Sequence, residues 1–290
     1  MSNVNIIPYF PHGVRMTGNS IYDDALQFET KLNTTALSIF KLVDDKNSFA
    51  DIIEKMNIQY GCKDNSILRD VNKLLFDANK RNIINFKIKS KNIVYMLLAK
   101  IVFSIIKRSN VRYDIFGNNL FKILIQLLRI LIAKFIGLAI IINFSLLLIL
   151  FLSNNSNYIV YGYTLQILVG INLLIIGSIT SIALHESLHA YYFRKMVKQV
   201  NSGFFALEGI TMSFKRRRDQ NISGVWVELS GPFITFMIGA VGYFITYIVM
   251  PNKMDFYLYI FFFTYLVQIL NLLPFSGDGR NILLRILFNK

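Results

Sequence analysis

Cysteine is almost missing: Cys62 is the sole thiol in 290 residues, so an internal disulfide framework and every zinc site built on cysteines are excluded. Histidine is nearly as scarce, at His12, His185 and His189. Any metal therefore has to be held by imidazoles and carboxylates, and the acids are few, 17 against 31 Lys and Arg. Charged residues make up only 17% of the chain and hydrophobic ones 54%, which excludes an ordinary soluble enzyme and places much of the chain in lipid. A net charge of +14 on so apolar a chain fits anchoring at an anionic bilayer better than a nucleic-acid partner.

What is present divides into three parts. Residues 1–90 read as a small soluble unit with short strands near Ile6 to Phe10, then three helices. Asn33 and Thr34 are expected to cap Ala36 to Val43, Ser48 with Asp51 to cap Phe49 to Tyr60, and Ser66 to cap Ile67 to Lys80, with Gly61 ending the second helix. Ile67, Leu68, Val71, Leu74 and Leu75 recur at helical spacing, and Ile83, Ile84, Phe86 and Ile88 alternate as a strand. Three helices and a small β-wing make a winged-helix (α+β) unit. Over residues 91–134, Lys100, Ser104 and Lys107 share one helical face, as do Lys122, Gln126 and Arg129. Charges at bilayer centre cost about 2.5 to 3.5 kcal/mol each, so 92–107 and 120–134 are expected to lie in the interface.

Residues 135–290 hold four uncharged runs long enough to cross: Phe135 to Leu152, Tyr158 to Leu184, Leu229 to Met250 and Phe256 to Gly277. The loop at 153–157 has no charge, whereas Arg194, Lys195, Lys198 and Lys215 to Arg218 crowd the next one, so both termini are expected in the cytosol of a bacterial cell. Trp226 reads as an interfacial anchor. Met1 to Phe10 has neither the basic nor the apolar region of a cleaved leader. The fold class expected is mainly α, a multi-pass helical membrane protein with a small N-terminal α+β unit.

At the end of the second run stands His185-Glu186-Ser187-Leu188-His189, the pattern H-E-x-x-H. On a helix, positions i and i+4 differ by about 40°, so both imidazoles can reach one ion with Glu186 beside them, the arrangement of a zinc protease. A catalytic zinc keeps three protein ligands and an open position, so a third ligand is needed. His12 is remote; among the acids after residue 134, Asp255 falls at the far end of the fourth run and Asp219 in a basic loop, while Asp278 is level with the histidines. Glu208 and Glu228 remain rivals.

His185-Glu186-x-x-His189, Ser230-Gly231-Pro232 and the stretch Asn271-Leu272-Leu273-Pro274-Phe275-Ser276-Gly277-Asp278-Gly279 together resemble the site-2 protease family of intramembrane zinc metallopeptidases. The resemblance covers residues 135–290, with Gly277 where the family usually has leucine. It implies a transmembrane peptidase core, Zn2+ held by His185, His189 and Asp278, and Glu186 as the general base on the water. Asn271, an amide in an apolar run, is expected either to bind substrate backbone or oxyanion, or to hold the chain opened by Pro274. The segment Phe204 to Phe214, with Phe204, Phe205 and Ile210, is expected to offer a strand edge on which a substrate can be drawn out of helical form.

Residues 29–88, with Leu32-Asn33-Thr34-Thr35-Ala36, Ile39, Phe40, Tyr60-Gly61 and Val71 to Leu75, resemble the small peptide-binding domain typified by the PQQ biosynthesis chaperone. That resemblance implies capture of the leader of a ribosomally made, modified peptide. Residues 1–90 carry 12 basic and 10 acidic residues, too even a balance for a phosphate-binding face, so no nucleic acid is expected. The resulting expectation is an intramembrane zinc metalloprotease that cuts a membrane-associated precursor or leader peptide. Alternatives are regulated cleavage of an anti-sigma factor or signal-peptide remnant, and a non-catalytic peptide-binding or immunity membrane protein.

Overall fold

The computed structural model describes residues 4–61, 65–102, 109–153, 158–198, 202–209, 211–217, 225–249 and 255–288. The chain divides into two units, Met1–Ile115 with Asn201–Arg218, and Phe116–Val200 with Asp219–Lys290. The boundary after Ile115, with a later segment joining the first unit, differs from the three consecutive parts expected at 1–90, 91–134 and 135–290.

In the first unit, β1 (Val4–Tyr9) pairs antiparallel with β5 (Asn85–Ser90), placing Ile6 opposite Ile88. Between them run a three-stranded meander, β2 (Val14–Thr17), β3 (Ser20–Asp23) and β4 (Phe28–Lys31), and three helices, α1 (Thr34–Lys41), α2 (Phe49–Tyr60) and α3 (Asn65–Lys80). The helix starts follow side-chain chemistry: the Ala36 amide donates to Asn33 Oδ1 at 2.8 Å, and Ser48 and Asp51 form a reciprocal capping box. Gly61 closes α2 in the left-handed region, φ 63°. Ser66 is not a cap, because α3 already begins at Asn65 and Ser66 lies inside its first turn. The apolar faces of these helices meet over Ile39, Phe40, Ile52, Met56, Val71, Leu75 and Ile84, all nearly or fully buried, each large side chain contributing about 1.5 to 3 kcal/mol. The three helices and the β1–β5 pair are the elements expected; the meander is an addition.

After β5 come α4 (Ile93–Ile101) and β6 (Asn110–Asp114), and a hairpin from far along the chain, β7 (Phe204–Glu208) and β8 (Thr211–Lys215), completes a sheet in the order β6-β7-β8. Asn79 and Asn85 dock β6 by imitating backbone: the amides of Asn110 and Arg112 donate to their side-chain oxygens, and their side-chain nitrogens donate back to the carbonyls of the same two residues. Arg112 is buried, bonded to Asp23 at 2.6 Å and Asp114 at 2.9 Å, and stacked 4.0 Å from the Phe204 ring centroid. Such a cation is retained only with its partners in place. Of the stretch expected to be helical at 92–107, Ile93–Ile101 forms α4; residues 103–108 lie outside the described residues.

The second unit is helical: α5 (Leu120–Ser153), α6 (Tyr158–Val197), α7 (Val225–Val249), α8 (Asp255–Leu266), a 3₁₀ turn (Val267–Leu272) and α9 (Gly277–Phe288). Four segments are long and apolar enough to cross a membrane, Leu120–Leu152, Leu165–Val197, Val225–Val249 and Phe256–Leu287. The separate interfacial helix expected at 120–134 is the first part of α5. No proline interrupts it, and a helix of 34 residues is about 51 Å long against about 30 Å of hydrocarbon, so Lys122 and Arg129 need not lie at depth. The fourth run is not one helix: it loosens into the 3₁₀ turn and breaks at Leu273–Ser276 around Pro274.

Contacts fix the helix directions. Gly170 and Gly177 of α6 approach Ile260 and Thr264 of α8, so these two run parallel, while Gly239 and Gly242 of α7 approach Leu266 and Phe262, so α7 runs against both. Between α5 and α6, Asn143 and Asn172 exchange side-chain amide bonds of 3.0 and 2.7 Å, and each also donates to a carbonyl of its own helix.

Candidate metal centre

The motif His185-Glu186-x-x-His189 lies inside α6, where helical spacing brings the two imidazoles edge to face, ring centroids 4.7 Å apart. His185 Nε2 and His189 Nε2 are 3.1 Å apart, and Asp278 Oδ2 lies 3.1 and 3.2 Å from them. Both histidines are buried, at 4% exposure. Asp278 arrives from the first turn of α9, whose start is fixed by Ser276: its hydroxyl accepts from the Gly279 amide at 3.1 Å and donates to the Leu273 carbonyl at 2.8 Å. A β-carbon at Gly279 would collide with the Leu272 and Leu273 carbonyls, so glycine permits the chain to fold back at this turn.

A triangle of electronegative atoms this tight asks for a cation. His189 Nδ1–H donates to the Val227 carbonyl at 2.5 Å, so a neutral His189 turns a lone pair toward Asp278 and His185. The three edges are close to the edge, about 3.3 Å, of a tetrahedron with bonds of about 2.0 to 2.1 Å. The residues therefore fit a metal ion, and His185, His189 and Asp278 are the group that can hold one among the described residues. Glu186 is partly exposed beside them and outside the triangle.

The rival ligands are elsewhere. Glu208 sits on β7 in the first unit, paired with Lys215 at 3.1 Å. Glu228 is buried in the first turn of α7 and does not join the triangle; Asp219 lies outside the described residues. Asn271 donates to Gln268 Oε1 at 2.9 Å, and Gln268 donates to Ser181 Oγ at 3.2 Å, one turn before His185, while the Asn271 carbonyl accepts from Ser276 Oγ. The Asn271 amide thus bonds another side chain, and it is the backbone carbonyl of Asn271, not its amide, that ties the opened stretch to Ser276.

Phe204 and Phe205 are buried, at 1% and 0% exposure, inside the first unit, and β7 is hydrogen-bonded on both sides, so it offers no edge. The outer strand of that sheet is β8, and Ile210 lies outside the described residues.

Two supporting features carried no sequence signal of their own. The Val227 carbonyl is invisible in a side-chain pattern. Gly231 makes room for the His189 ring, since a β-carbon there would fall 2.5 Å from His189 Nε2. Ser230-Gly231-Pro232 pointed to the place without revealing that cause. No protein-family model matches the chain, and no curated protein and no solved structure matches it.

Proposed function

We propose that this chain is a membrane-embedded metallopeptidase that hydrolyses a peptide bond in a membrane-associated precursor or leader of a ribosomally made peptide. The convergence of His185, His189 and Asp278 at 3.1 to 3.2 Å, on segments long enough to cross a membrane, is the observation that carries it. Two imidazoles and one carboxylate, with a fourth position open, are the donor set of a hydrolytic zinc. Zinc bound there supplies Lewis acidity, lowering the pKa of a water toward neutrality and polarising a carbonyl.

The chain's own residues do the rest. Glu186, next to His185 and partly exposed, takes the proton from the attacking water and delivers it to the leaving amine as the C–N bond breaks. Val227 holds the tautomer of His189, and the Ser276 cap holds Asp278. In the first unit, β4 and β8 are each bonded on one side only among the described residues, and such edges suit capture of an extended leader.

The test is metal analysis of the purified chain alongside precursor cleavage. Wild type is expected to retain about one zinc per chain, and Glu186→Gln to keep the metal while cutting about 100-fold more slowly or worse. Full cleavage by Glu186→Gln rejects the reading.

A further inference from the structure

His189 has an acceptor for its outer nitrogen; His185 does not. His185 Nδ1 is buried with no hydrogen-bond partner, although an imidazole that gives Nε2 to a metal carries its proton on Nδ1 and needs an acceptor there. In the second unit only two other described side-chain polar atoms are buried and unpaired, Ser187 Oγ and Thr235 Oγ1. Ser187 is two residues from His185, about 200° around α6, and so faces away.

Thr235 is on the right face. Gly231 lies against the His189 ring, and four residues further along α7 the face is nearly the same, about 6 Å on. Since α7 runs against α6, that step leads from the level of His189 back to the level of His185. Thr235 is fully buried, and its behaviour is unlike that of its neighbours. Thr180, Ser181, Ser230, Thr246 and Thr264 all donate to carbonyls of their own helix. An unused hydroxyl in an apolar interior is destabilising, and two unused groups at one level are doubly so.

We infer that Thr235 is a positioning residue for the metal centre, its hydroxyl accepting the Nδ1 proton of His185 when the metal is bound. This rests on the metal site proposed above. The contact fixes the tautomer and ring angle of His185, as the Val227 carbonyl does for His189, and leaves the hydroxyl proton free to turn to a carbonyl of α7.

The experiment uses the full chain in nanodiscs, loaded with Zn2+ or Co2+, with affinity read by chelator competition and the ligand field by the Co2+ visible spectrum. Thr235→Val keeps the shape and removes the hydroxyl; it is expected to weaken metal binding about 10- to 100-fold and to move the Co2+ bands. Thr235→Ser should restore both. Thr246→Val, which removes a hydroxyl already bonded to Gly242, should change neither. Wild-type affinity and spectrum in Thr235→Val overturn this inference and leave the metal site standing, as does an equal loss in Thr246→Val. A wild-type chain that binds no metal overturns the proposed function, and this inference with it.

Discussion

A methyl group at position 231 would stand 2.5 Å from Nε2 and 2.7 Å from Cε1 of His189, well inside any real contact, while Nδ1 of the same ring is tied to Val227. The ring cannot yield without giving up either that bond or its approach to Asp278. Gly231→Ala is therefore expected to reduce metal affinity at least about 10-fold while the protein stays folded, because the clash is confined to one side chain. Chelator competition on the purified variant checks this, and unchanged affinity would show that the ring has room to shift. At this scale the sequence was informative wherever chemistry is local. His185, Glu186 and His189 announce themselves by spacing, and Asp278 by its level in the chain. The Val227 carbonyl and the lone position of Thr235 depend on how α6 and α7 lie together, which no pattern within either helix records.

Among elements, α2 is the one whose boundaries follow most directly from residue chemistry. Its capping box joins Ser48 and Asp51 at both backbone and side chain, and the two Ser48 hydrogen bonds hold the Asp51 carboxyl below its usual value. A carboxylate lowered by folding lends stability above its unfolded value, about 3.9, and that stability is lost as pH falls through the lower folded value. Ser48→Ala is expected to cost about 1 kcal/mol near neutral pH, seen as faster hydrogen exchange across Phe49–Tyr60. The gap between variant and wild type should narrow as pH falls below the unfolded carboxylate value of about 3.9 and the folded chain in turn takes up the Asp51 proton. A constant gap across that range would remove the carboxylate from the explanation. Capping was legible because it is settled within four residues. The continuation of α5 past Lys134 is not legible for the opposite reason: the positions of Lys122 and Arg129 depend on the length of the whole helix, not on their own surroundings.

For the whole molecule, the unexpected feature is that residues 201–218 belong with residues 1–115. The register Asn110↔Glu208 through Asp114↔Phe204 joins strands about ninety positions apart, and Arg112 against Asp23, Asp114 and Phe204 seals the join. Alternation marks strands but cannot choose partners at such a distance, so Phe204 to Phe214 reads as one edge when its first half, β7, is a central strand and only β8 is outermost. A fragment ending at residue 115 should leave β6 unpaired along one side and Arg112 without its aromatic cover. It is expected to lack a cooperative thermal transition by circular dichroism, and adding residues 201–218 through a flexible linker should restore one. Equal melting of both fragments would show the hairpin to be dispensable.

The reciprocal amides of Asn143 and Asn172 bear on which flank of the second unit can open. Parting α5 from α6 would leave each carboxamide only the bond to its own helix, and in hydrocarbon nothing replaces the two bonds they exchange. That seam is latched. Under the function proposed above, traffic to and from the histidines has to use another flank, and the broken stretch ahead of Asp278, already short of regular backbone bonds, is the place where a door can swing at least expense.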